Sequence, residues 1–186
     1  MEQLAARRAH NPKVAGSSPV PASFAPPYSM GGIFLDYEKY MQIALGQAKI
    51  ASELLEVPIG CVIVHGDSII ATGYNQRNTN KNPLHHAEIL AIDTACKHLG
   101  DWRLEDCTIF VTVEPCPMCA GAILQARIAK LVYGAKNSKA GSVNSIQNIL
   151  ENDMYNHKVE VISGVMEEEC GEIMSNFFTG LRQKNC

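Results

Sequence analysis

The tightest constraint on this chain is a pair of short stretches that carry ligand chemistry, His86-Ala87-Glu88 and Pro115-Cys116-Pro117-Met118-Cys119. Together they offer an imidazole, a pair of thiols and a further carboxylate. Any fold that uses this inventory has to bring the two stretches into one site. One histidine nitrogen and two cysteine sulfurs make three ligands of a tetrahedral zinc and leave its fourth position open, the pattern of a catalytic rather than a structural ion. The Cys-x-x-Cys spacing at a helix start lets both sulfurs point at one metal. The His-x-Glu spacing lets the imidazole ligate while the carboxylate stands beside the open position. That spacing selects His86 over its neighbour His85 as the ligand and leaves Glu88 as the acid/base.

Composition narrows the setting. The chain has 186 residues, enough for one domain with a real core. Its seven cysteines are odd in number, and only Cys116 and Cys119 lie close together, which is not a disulfide framework. A reducing, cytoplasmic setting with one metal-binding pair is the expectation. No apolar run is long enough to span a membrane. With a net charge of −3, any nucleic-acid partner would have to be held by a local patch on an acidic body.

Residues 1–29 read differently from the rest. Pro12, Pro19, Pro21, Pro26 and Pro27 interrupt every helical or strand period. A disordered segment and a transit peptide are two readings. The preferred one is a non-native extension, because Arg7 to Ala22 looks like a tRNA gene translated as if it were coding, with Met30 as the start. The domain proper is then 30–186.

From Asp36 to about Glu56, Tyr40, Ile43, Ala44, Ala48, Ile50, Ala51 and Leu54 recur at helical steps, with Asp36 as N-cap. Ile59–His65 and Ile69–Tyr74 read as a hairpin, in which Gly60 marks either a bulge or a close approach. A helix is expected from about His85 to Leu99, with Ile89, Leu90, Ile92 and Ala95 as its buried stripe and Gly100 as its stop. Cys107–Val113 is a buried strand, and Cys116 opens a helix whose dipole favours thiolates. Strands at Lys130–Gly134 and Val159–Ser163 and a closing helix from Met166 follow, after a Gly/Ser/Asn loop at Asn137–Asn144. The order α-β-β-α-β-α-β-β-α predicts one mixed sheet of about five strands with helices on both faces.

A Cys-x-x-Cys alone could also be half of a structural zinc site or a redox pair. No second Cys-x-x-Cys is present, and either reading leaves His86 and Glu88 unexplained. The combined His-x-Glu and Pro-Cys-x-x-Cys pattern is the known signature of zinc deaminases. Further residues carry the resemblance: Val57-Pro58-Ile59-Gly60, Gly73-Tyr74-Asn75, Cys119-Ala120-Gly121-Ala122, Tyr133-Gly134-Ala135-Lys136 and Phe177-Phe178. From about Leu35 to Arg182 the chain resembles the bacterial tRNA-adenosine deaminases of the cytidine-deaminase-like superfamily.

The resemblance implies a three-layer α/β/α sandwich around a five-stranded mixed sheet, one zinc per subunit and a homodimer. It implies deamination of the wobble adenosine in the anticodon of an arginine tRNA, a single-stranded base that can be splayed into a pocket. By the same resemblance Asn75 would bind the nucleoside, and Phe177 and Phe178 would lie near flanking nucleotides. Adjacent helical residues face different ways, so Phe178 is taken as the exposed platform. Lys130, Lys136, Lys139 and Arg182 are candidate phosphate contacts. The alternative is a guanine or cytosine deaminase acting on a free base, and a binding module without chemistry is a third class.

Overall fold

The computed structural model describes residues 36–184, so the readings of residues 1–29 lie outside the described residues. Helix α1 (Tyr37–Glu53) leads into strands β1 (Gly60–His65) and β2 (Ser68–Tyr74). Helix α2 (Ala87–Leu99), strand β3 (Cys107–Val113) and helix α3 (Pro117–Gln125) follow. Strands β4 (Lys130–Ala135) and β5 (Glu160–Ser163) and helix α4 (Glu167–Lys184) complete the expected order. The strands form one five-stranded sheet, β2-β1-β3-β4-β5. Strand β1 runs antiparallel to β2 and β3, whereas β3, β4 and β5 are parallel.

Strand side chains alternate between two faces, and each face carries its own core. Cys61, Ile63, Ile109, Val111 and Leu131 point toward the alanines of α2 and toward Ile123 and Leu124 of α3. Val62, Val64, Phe110 and Val132 point the other way, toward Tyr40, Met41 and Ala44 of α1 and Cys170 of α4. The architecture is therefore the expected α/β/α sandwich.

Glycines set how closely the helices lie. A Cβ on Gly60 would overlap the Ala44 carbonyl and approach Gln47 Cβ to 2.8 Å, so this position is a close approach of α1. The irregularity in the hairpin falls instead between Ile63 and Val64. On the opposite face, a Cβ on Gly73 would overlap the Ala87 carbonyl and come within 3.0 Å of Ala91 N. This contact corrects the expected stripe of α2. The face against the sheet is Ala87, Glu88, Ala91 and Ala95, while Ile89, Leu90 and Ile92 are only half-buried. Backbone packed this close to β2 leaves room for little more than a methyl group.

Two smaller differences concern the bounds and faces of α1 and α2. In α1 the row Tyr40, Met41, Ala44, Leu45, Ala48 and Ala51 faces the sheet, which leaves Ile50 and Leu54 exposed. Asp36 caps this helix as expected, its carboxylate accepting from Lys39 N at 3.1 Å. Helix α2 starts at Ala87, so His86 is its N-cap and not part of its first turn.

Candidate metal centre and adjoining groove

Helices α2 and α3 both begin at the same end of the sheet, and each has a ligand-type residue as its N-cap. His86 (φ −77, ψ 156) and Cys116 (φ −75, ψ 173) both hold extended backbone. Neither side chain caps its own helix, so the imidazole and the sulfur are both turned to other partners. Pro117 opens α3, where its missing N–H costs nothing. Cys119 sits one residue short of a full turn further on and is wholly buried.

These side chains meet. His86 Nδ1 lies 3.6 Å from Cys116 Sγ and 3.6 Å from Cys119 Sγ. All three ligand atoms fall within 4.8 Å of one another. An ion at about 2.3 Å from sulfur and about 2.05 Å from nitrogen, with tetrahedral angles, sets an N···S separation of about 3.6 Å. The donor set and its spacing therefore fit zinc. Glu88, in the first turn of α2, is 3% exposed, and its Oε2 has no hydrogen-bond partner. A buried, unpartnered carboxylate oxygen beside three soft and borderline donors suits a site built to handle a reacting molecule.

The electrostatics are those of a site that separates charge. The Cys119 thiol donates toward Cys116, and with His86 adjacent the Cys116 thiol is held down at about 4 despite burial. The same contact and burial push Cys119 up. The hydrogen bond to Cys116 raises His86 above its ordinary value. Burial raises the Glu88 carboxyl, and the Cys116 charge adds to that effect. Helix N-termini favour a thiolate at this point.

His85 does not join the cluster. Its Nδ1 faces Asn80 Nδ2 at 2.9 Å, and its carbonyl accepts from Gln76 N at 3.0 Å. That second bond ties the segment just after β2 to the residue before the N-cap of α2. Asn75 is 4% exposed, its N–H bonded to Ile59 O at 3.0 Å and its Nδ2 donating to Glu56 Oε2 at 3.2 Å.

Lys136, Lys139, Phe178 and Arg182 line one groove of about 610 Å³ together with Val57 and Ile59. Phe178 is 40% exposed, whereas Phe177 faces the separate groove between α1 and α4. The two rings meet edge-on at 5.4 Å. Lys130 does not reach this groove. Its ammonium is held by Glu160 at 3.2 Å and Tyr37 Oη at 3.3 Å.

Sequence reasoning missed two buried carboxylates here. Glu114 accepts from the N–H groups of Asn137 (3.1 Å), Val143 (3.1 Å), Asn144 (2.7 Å) and Ser145 (2.9 Å), and from the Ser145 hydroxyl. Burial alone would raise it, but these bonds hold it down at about 2. The loop after β4 is thereby pinned to the residue two before Cys116. The signal available was a charged residue at the end of an otherwise apolar strand. The other carboxylate is Glu56, whose signal was weaker, a charge after the exposed Leu54-Leu55.

Comparison with known proteins gives a consistent picture. The family model described as MafB19-like deaminase matches residues 35–182. The tRNA-specific adenosine deaminase of Bacillus subtilis (strain 168) is 51% identical over 147 residues, covering 79% of this chain and 91% of that protein. A solved structure reported for A-to-I editing by tRNA:A34 deaminases at the wobble position of transfer RNA superposes with a TM-score of 0.70. It shares 41% identity and covers 73% of this chain and 98% of its own. The guanine deaminase of Bacillus subtilis superposes with a TM-score of 0.55 at 29% identity, covering 80% of this chain and 95% of its own.

Proposed function

The chain belongs to the tRNA-specific adenosine deaminases, and from that premise we propose that it acts on the wobble adenosine of a tRNA anticodon, an arginine tRNA by resemblance, with one zinc per subunit. The class of reaction is A-to-I deamination in tRNA, in which water replaces the 6-amino group of adenine and ammonia leaves. His86, Cys116 and Cys119 would hold the metal. Zinc, when bound, would supply Lewis acidity that lowers the pKa of water to about 7.

Glu88 carries the proton traffic. Its buried carboxyl takes one proton from water and gives it to the ring nitrogen next to the reacting carbon, then takes the second from the hydroxyl newly joined to that carbon and gives it to the departing amine. A raised carboxyl pKa suits a group that must both accept and give. Asn75 holds the nucleoside. Lys136, Phe178 and Arg182 contact the nucleotides around it, the ring by stacking and the cations by charge. Homodimeric assembly and a cytoplasmic setting belong to the same reading. No helix among the described residues is long and apolar enough to cross a membrane.

The observation that carries the reading is the His86–Cys116–Cys119 cluster with the unpartnered Glu88 oxygen beside it. The alternative, a free-base guanine deaminase, draws on the second solved fold. It leaves the groove of Lys136, Phe178 and Arg182 without a use, since a free base ends at the pocket. Incubation with arginine tRNA, guanine and cytosine, followed by assay of inosine, xanthine and uracil, separates the readings. Inosine in tRNA is expected, and xanthine or uracil alone would overturn the proposal. A Glu88→Gln variant that retains zinc and loses turnover is expected; full turnover would remove Glu88 from its role.

A further inference from the structure

Glu56 lies just beyond α1, wholly buried, and no cation is paired with it among the described residues. A charge in that position is costly unless its oxygens are well used. Both are used. Oε1 accepts from Thr79 N at 2.5 Å, and Oε2 accepts from Asn75 Nδ2 at 3.2 Å. Both partners lie between the sheet and α2: Thr79 is in the loop between β2 and α2, and Asn75 directly follows β2, its N–H bonded to Ile59 O.

An asparagine amide has two faces, a donor NH₂ and an acceptor oxygen, and packing alone distinguishes them poorly. A carboxylate opposite it removes the ambiguity, because a carboxylate only accepts. The NH₂ of Asn75 must therefore turn toward Glu56, whichever way the rest of the pocket would prefer. Its Oδ1 and the second amide hydrogen are then left to face the substrate in a fixed order. We infer that Glu56 is a positioning residue that sets the flip of the Asn75 amide, and so decides which edge of a base the pocket accepts. The inference rests on the proposed placement of Asn75 against the nucleoside.

A Glu56→Gln substitution makes the idea testable, because its effect is directional. The Thr79 N–H can only donate, so the new side chain must keep its oxygen there. Its NH₂ then faces Asn75 and forces that amide to turn over, presenting NH₂ where oxygen stood. A second substitution, Asn75→Asp, repairs this. The aspartate accepts from the introduced NH₂ and again offers an oxygen to the substrate. Against the native Glu56, the same aspartate sets two carboxylates face to face.

The experiment compares the zinc-loaded wild type with Glu56→Gln, Asn75→Asp and the double variant, using kcat and KM on tRNA, melting temperature and metal content. Both single variants are expected to lose at least tenfold in kcat/KM, and the double variant to recover most of the Glu56→Gln loss. A merely structural role would make the losses add. A second readout does not depend on turnover: the Asn75 side-chain amide, assigned in ¹⁵N spectra by its disappearance in Asn75→Asp. It should exchange slowly with solvent in the wild type and lose that protection in Glu56→Gln. Additive losses, unchanged kinetics in Glu56→Gln, or a fast-exchanging wild-type amide would each overturn the inference. A protected amide in a protein inactive on tRNA would sustain the orientation and overturn the substrate reading instead.

Discussion

Replacing Gly73 by alanine is expected to cost activity out of proportion to stability. The added methyl group would overlap the Ala87 carbonyl and lie 3.0 Å from Ala91 N and 3.3 Å from Ala87 C. Contact without repulsion needs about 3.5 Å, so the first turn of α2 has to lift by roughly 1 Å. Backbone cannot step aside as a flexible side chain can, and overpacking of this kind costs about 1–3 kcal/mol. For a domain of this size that lowers the melting temperature by about 2–4 °C per kcal/mol.

The larger consequence is local. The lifted turn carries Glu88 and is entered through His86, while Cys116 and Cys119 stay on α3. Ligand distances tolerate only about 0.2 Å before affinity falls, and a 1 Å displacement of a reacting group costs about 100-fold in rate. Gly73→Ala should therefore fold, melt several degrees early, bind zinc more weakly and lose about two orders of magnitude in kcat/KM. The assays are thermal melts, competition for zinc against a chelator of known affinity, and kinetics under saturating metal. Wild-type values in all three would refute the claim that the Gly73–Ala87 approach sets the height of α2. A melting loss with intact kinetics would refute the step from helix position to site geometry.

Three further outcomes follow from the same structure. Gly46→Ala is expected to stabilise by about 0.5–1 kcal/mol, since it sits inside α1 and an added methyl group would meet nothing within 4 Å; a lower melting temperature would contradict the open space there. Glu114→Ala leaves the N–H groups of Asn137, Val143, Asn144 and Ser145 without their acceptor, at about 1–3 kcal/mol for each that water cannot reach. Limited trypsin digestion should then cut after Lys136 or Lys139 well before the wild type is cut, and an unchanged digestion pattern would mean that the loop is held by something else. Removal of metal by a chelator should lower the melting temperature, zinc should restore it, and His86→Ala should abolish the zinc-dependent shift, since a ligand bound only by the folded state stabilises it by RT ln(1 + [L]/Kd). A melting temperature indifferent to zinc would count against the metal centre.

What can be read from the chain, and what cannot, divides by how each contact is encoded. The continuous buried runs of β1 and β3 and the helical row from Tyr40 to Ala51 are local patterns, so the element order and the mixed sheet are legible. His86, Cys116 and Cys119 are legible as a group because ligand chemistry admits few residue types and short spacings. The contacts that set the detail are pairwise and distant in sequence. Gly73 matters through Ala87, Glu56 through Asn75, and Glu114 through a loop entered at Asn137. A lone carboxylate in sequence looks like a solvated charge until its partners are known. The stripe of α2 is illegible for the same reason: large apolar residues promise burial, yet the space beside Gly73 admits only alanine. The same geometry explains why the buried acids carry so much of the site. Glu56 and Glu114 each tie a loop that has no regular hydrogen-bonding partner of its own to the end of a helix or strand that does. The loop before α2 is thus held by Glu56, and the loop after β4 by Glu114 together with the buried Val143 and Leu150.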